Sequence, residues 1–177
     1  MKTLILGGVK SGKSRLAEQM AKDSGKSVTY IATAQALDDE MQARIDRHKA
    51  QRPPDWQLVE EPIQLAAALS AQASEQSCIL VDCMTLWLTN LLMTEDRALF
   101  EREREALIET LSSLPGEVIM VSNETSMGII PLGELTRVFC DEAGLLNQAL
   151  AQHCDKVILT VAGLPQILKD ITKSNAI

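Results

Sequence analysis

The chain has 177 residues, 46% of them hydrophobic and 23% charged, with a formal net charge of −7. Length and balance predict one domain over residues 1–177 with a well-buried core, and the acidity argues against nucleic acid, whose backbone needs clustered Lys and Arg. No apolar run approaches the roughly 18 residues of a bilayer span, and the N-terminus reads as a strand and not as a signal peptide, so the expectation is a cytoplasmic protein without a membrane span.

Thr3 to Leu6 reads as a buried strand and leads into Gly7-Gly8-Val9-Lys10-Ser11-Gly12-Lys13-Ser14. This is G-x-x-x-x-G-K-S, set between that strand and a helix predicted over Ser14 to Lys22, the context expected of a phosphate-binding loop. Gly7, Gly8 and Gly12 let the backbone N–H groups turn inward, and the helix start adds its positive end. Lys13 can reach the β- and γ-phosphates of a nucleoside triphosphate, and the Ser14 hydroxyl can ligate Mg²⁺. The bland alternative is an ordinary glycine turn between strand and helix.

A second strand is predicted over Val28 to Thr33, then a helix over Asp38 to Ala50 with Asp38 or Asp39 as its cap. On that helix Arg44, His48 and Arg52 are spaced by four and form a stripe. Neighbouring guanidiniums disfavour protonation, so a neutral imidazole there could attack phosphorus and form a phosphoramidate. Met41, Ile45 and His48 also share one face, and on the residues alone a histidine covering the core edge is the favoured account. Gln51 to Asp55 ends the helix as a loop, with Trp56 expected to be partly exposed. Pro62 opens a further helix through Gln64 to Ala73.

The third predicted strand, Cys78 to Val81, ends at Asp82. An acid at the carboxyl end of such a strand is where phosphate-loop proteins hold magnesium, although a helix cap before Met84 would explain it too. Trp87 is expected in the core. A helix follows over Glu101 to Leu114, then a strand over Val118 to Ser122. Asn123 to Pro131 suits a substrate loop and equally a structural crossover. A helix over Leu135 to His153 carries Arg137, which could meet a phosphate or a surface ion pair, and ends at a histidine suited to the helix dipole. The last predicted strand is Val157 to Val161, and residues 173–177 are expected to fray. Alternation of strands and helices predicts an α/β protein with a mostly parallel sheet. Cys78, Cys83, Cys140 and Cys154 lack metal or disulfide spacing and read as reduced core thiols.

Taken together, Gly7 to Arg15, Tyr30 to Thr33, Asp38 to Met41 with Arg44, Ile45 and His48, Arg52-Pro53, Trp56, Glu60, Thr89 to Leu92, Ser122 to Glu124 and Met127 to Pro131 resemble one family. It is the bifunctional adenosylcobinamide kinase and adenosylcobinamide-phosphate guanylyltransferase family of cobalamin biosynthesis. The resemblance implies a RecA-like P-loop fold, a corrinoid acceptor, GTP and ATP as substrates with Mg²⁺, and a homotrimer. It also implies that His48 is the guanylylated nucleophile. Nucleotide contacts are implied for Gly7 to Ser14, for Ala32, Thr33 and Ala34, for Lys49, Ala50, Gln51 and Arg52, and for Glu60 and Asp82. Asp82 stands where relatives can have glutamate, and Ser126 replaces a frequent glycine. A P-loop small-molecule kinase without nucleotidyl transfer, and a non-catalytic nucleotide sensor, are the rival readings.

Overall fold

The computed structural model describes residues 1–36, 39, 40, 42, 43, 49 and 53–173. Strands β1 (Lys2–Gly7), β2 (Ser27–Ala32), β3 (Gln57–Glu60), β4 (Ser77–Asp82), β5 (Glu117–Asn123), β6 (Lys156–Val161) and β7 (Leu164–Asp170) form one sheet. Its order is β3-β2-β4-β5-β1-β6-β7. Neighbours from β3 to β6 run parallel, and β7 returns antiparallel to β6. The helices are α1 (Lys13–Asp23), α2 (Leu65–Gln72), α3 (Met84–Met93), α4 (Arg97–Ser113) and α5 (Glu134–His153).

The central strands are continuously apolar because both of their faces are covered. Alternate side chains go to opposite cores. Leu4, Ile79, Val81, Val118 and Met120 pack under the helices α2 to α5, while Ile5, Cys78, Leu80, Ile119 and Val121 pack with Ala17 and Ala21 of α1. The two alanines let α1 sit close against the strands that its own loop leaves.

Local chemistry explains several boundaries. Asp96 accepts a hydrogen bond from the Leu99 amide at 3.0 Å and so starts α4 four residues before the expected Glu101. Glu61 Oε1 accepts from the amides of Ile63 and Gln64 at 2.9 and 2.8 Å, which turns the chain into α2 beyond Pro62. Helix α3 escapes a periodicity reading because its apolar residues are not confined to one face, most of the helix being buried. Trp87, the core residue expected there, has no exposed surface and donates its indole N–H to Ile63 O at 2.8 Å.

Strands β3 and β7 are also absent from the sequence reading. Both lie at sheet edges, where one neighbour is enough and the apolar run can be short or broken, as by Pro165. Trp56, expected to be partly exposed, is instead buried with Tyr30 and Cys83. Of the helix expected over 38–50, residues 39, 40, 42, 43 and 49 are described and are helical. Arg44, His48, Ala50, Gln51 and Arg52 lie outside the described residues, as do positions 174–177 of the tail expected to fray. His153 ends α5, and its Nδ1 meets Ser112 Oγ at 2.8 Å.

All four cysteines are free thiols, with Cys140 the most accessible of them. Burial pushes the Cys78 thiol up, Cys83 up to about 11 and Cys154 up to about 12. In the native protein at pH 8, iodoacetamide should therefore label Cys140 first, the others reacting only after unfolding in guanidinium. Peptide mass mapping reads this out, and equal native labelling of Cys83 and Cys140 would contradict the packing.

Candidate active site

Parallel pairing brings the carboxyl ends of five strands onto one rim. Gly7 of β1 stands opposite Asn123 of β5, Asp82 of β4 opposite Val121, and Ala32 of β2 opposite both Asp82 and Glu60 of β3. Ligands of open α/β sheets bind outside such ends.

The glycine loop leaves β1 at this rim. Ser11 N donates to Gly8 O at 3.2 Å, and Leu16 N to Gly12 O at 3.0 Å begins the α1 ladder. No side chain caps α1, and its first turn holds no acid, so its leading amides remain available to an anion. A cavity of about 550 Å³ opens there, lined by Lys10 to Arg15 together with Ala162 and Gly163. Val9 and Gly8 project to solvent on the outside of the loop.

Lys13 is only 7% exposed although it is charged, and its Nζ donates to Gly8 O at 2.7 Å. Burial lowers its pKa, and the Asp82 carboxylate acts against that shift. A poorly solvated ammonium gains from any anion that enters the loop. The hydroxyl of Ser11 is likewise buried, with no hydrogen-bond partner among the described residues. Ser14 is half-buried at the mouth. Asp82 does not cap α3; the cap position is Cys83, and no side chain bonds there.

The remaining predicted contacts divide. Thr33 is wholly buried: its hydroxyl donates to Cys83 O at 2.7 Å and accepts from Cys83 N at 3.0 Å. It bolts the end of β2 to that of β4, and its neighbours Ala32 and Ala34 are half-exposed. Asn90 completes the bolt, donating to Thr33 O at 2.7 Å and Pro62 O at 3.1 Å. Lys49 and Glu60 come together as an ion pair of 2.7 Å on the β3 side of the rim. Arg137, for which a phosphate or an acidic partner was expected, donates to the carbonyls of Pro131 and Leu132 and pins the segment after β5.

Ala162 and Gly163 are the site residues that the sequence reading missed. They form the two-residue turn between β6 and β7, with φ of 52° and 80°. Gly163 N donates to Ser11 O at 2.9 Å, so the hairpin tip closes one wall of the phosphate loop. The only local signal was Gly163 at the end of an apolar run, a weak turn mark beside an alanine that must take a positive φ.

Comparison with known proteins follows the same outline. Residues 3–168 match the family model described as cobinamide kinase / cobinamide phosphate guanyltransferase. The chain is 58% identical to a bifunctional adenosylcobalamin biosynthesis protein of Pseudomonas aeruginosa, covering 96% of this chain and 98% of that one. To the Salmonella typhimurium bifunctional adenosylcobalamin biosynthesis protein it is 41% identical, covering 93% and 97%. Among solved structures, the RadB recombinase superposes with a TM-score of 0.52 at 18% identity, over 89% of this chain and 73% of that chain. The P4 protein of bacteriophage phi6 in complex with ADP gives 0.50 at 14%, over 93% and 53%. At these identities the structural likeness shows the P-loop NTPase fold.

A charge added at the hairpin tip tests the cavity wall. Gly163→Asp should weaken nucleotide binding about tenfold or more by opposing the phosphates, whereas Gly163→Asn, which tolerates the same backbone, should stay within about threefold. Calorimetric titration of both variants gives the comparison, and equal affinities would place the phosphates elsewhere.

Proposed function

The chain belongs to the cobinamide kinase / cobinamide phosphate guanyltransferase family, and on that premise we propose how its two transfers divide among its residues. In the first, the hydroxyl of the aminopropanol arm of adenosylcobinamide attacks the γ-phosphate of ATP or GTP. Lys13 and the uncapped amides of α1 hold the charge of the transferring group. The observation that carries this reading is the desolvated Lys13 ammonium beside free helix amides in one cavity, with Asp82 acting on it across the rim.

Mg²⁺ fits the oxygen donors present. Ser14 and Asp82 supply a hydroxyl and a carboxylate, and among the described residues no group of three or more His, Cys, Asp or Glu forms an all-protein cage. That is the donor set of an ion carried largely by substrate phosphates, whose charge it would neutralise when bound.

In the second transfer His48 attacks the α-phosphorus of GTP, pyrophosphate leaves, and the cobinamide phosphate oxygen takes GMP from the imidazole. Support comes from the family motif and from the next residue, Lys49, which is paired to Glu60 at the rim. The corrinoid lies against the segment after β5. Met127, Ile129, Ile130 and Leu132 present apolar side chains there, Ile129 and Leu132 being 98% exposed, an unusual display for a polar rim. We also propose a cytoplasmic homotrimer, with the apolar surface of Leu164, Leu168 and Ile171 along the β7 edge available for burial. No described helix is long and apolar enough to cross a membrane.

Incubation with α-labelled GTP should leave acid-labile, base-stable label on the protein. His48→Ala should abolish that label and the guanylyl transfer while kinase turnover persists. Retention of both activities in this variant would exclude His48 as the nucleophile, and absence of label from the wild-type protein would leave a small-molecule kinase.

A further inference from the structure

The kinase half needs a proton acceptor that neither Lys13 nor the loop amides can provide, because both are donors. As the new O–P bond forms, the acceptor hydroxyl must lose its proton to a group lying between the γ-phosphate and the acceptor. We propose that this group is the Glu124 carboxylate, acting as general base for phosphoryl transfer.

Three observations place it there. Strand order sets β5 between β4 and β1, so the residue after β5 emerges between Asp82 and the glycine loop. The Glu124 backbone N–H donates to Gly7 O at 3.0 Å, which fixes the residue directly on the first residue of the loop. The preceding Asn123 donates to Thr85 Oγ1 at 3.0 Å and holds the strand end from the other side.

The carboxylate itself is half used. Oε1 accepts from Ser126 N at 2.7 Å, and among the described residues no Lys or Arg pairs with the group. One oxygen is thus oriented by the backbone, and among the described residues the other has no protein partner. A glutamate neutralised in a salt bridge would be a poor base; an anchored carboxylate with a vacant lone pair is the arrangement required. Of the other acids of this rim, Glu60 is paired with Lys49 and Asp82 acts electrostatically on Lys13. Glu124 also opens the segment that carries Met127, Ile129 and Ile130, the surface assigned above to the corrinoid, and the inference rests on that placement and on the kinase activity of the family.

The step balances as follows. The hydroxyl oxygen bonds to the γ-phosphorus while the bond from that phosphorus to the β,γ-bridging oxygen breaks. The nucleoside diphosphate leaves with the electron pair, and the hydroxyl proton passes to Glu124 and from there to water.

Glu124→Gln keeps the size and the Ser126 contact but cannot accept the proton. Its kinase kcat should fall about 10²-fold or more, with KM for ATP within about threefold. The acid limb of the wild-type pH–rate profile should be lost. Guanylyl transfer from GTP to supplied cobinamide phosphate should stay within about threefold, which also shows that the variant is folded. A kinase kcat within about fivefold of wild type, a retained acid limb, or an equal loss in both half-reactions would overturn the assignment. Failure of the underlying activity is distinguishable, because it would appear as a wild-type protein with no kinase turnover at all.

Discussion

A Cβ on Gly7 would stand 2.3 Å from the Thr160 carbonyl oxygen and 2.7 Å from Ser11 Oγ. Only a bare Cα lets the chain leave β1 beside β6 and double back over the strand ends. Everything at the rim follows from that contact. The turn of the loop sets where α1 begins, and α1 in turn presents its unpaired amides toward the same space that Lys13 enters. The β6–β7 hairpin that crowds Gly7 also seals the loop, through the bond from Gly163 N to Ser11 O. The candidate anion site is therefore built by three elements from opposite ends of the chain. It is not a property of the glycine loop alone.

The electrostatics of the site oppose those of the whole molecule. A chain of net charge −7 gathers Lys10, Lys13 and Arg15 around one cavity. Burial makes the Lys13 charge costly in the free protein, and Asp82 offsets part of that cost. Such a balance favours an anion at this cavity, since the anion satisfies the ammonium that burial leaves poorly solvated. Overall acidity limits non-specific binding of nucleic acid and leaves this local recognition intact.

A second constraint runs along the rim through neutral hydrogen bonds. Thr33, Cys83, Thr85, Asn90 and Asn123 link the ends of β2, β4 and β5 to α3 and to Pro62. These groups are neutral, so the network ties the strand ends together without adding a formal charge to the rim. It accounts for polar residues in segments that otherwise read as core, and it gives the Thr33 hydroxyl a structural partner in Cys83.

Residues close in sequence carried much of this molecule on their face. The glycine loop between strand and helix, the acid after four apolar residues, and the five interior strands are local patterns whose physics is complete within about ten positions. The spaced block around His48 and the Asn-Glu and Met-Gly-Ile-Ile-Pro pieces pointed to the family for the same reason. Other features were invisible because their cause is distant. Strands β3 and β7 exist through pairing with β2 and β6, helix α3 through burial of most of its length in the core, and the burial of Trp56 through the cluster it shares with Tyr30 and Cys83. The juxtaposition of Glu124 with Gly7, and of Gly163 with Ser11, joins residues more than a hundred positions apart. Spacing along a chain encodes periodicity and turn chemistry, but only the folded sheet, by its strand order and register, decides which strand ends become neighbours.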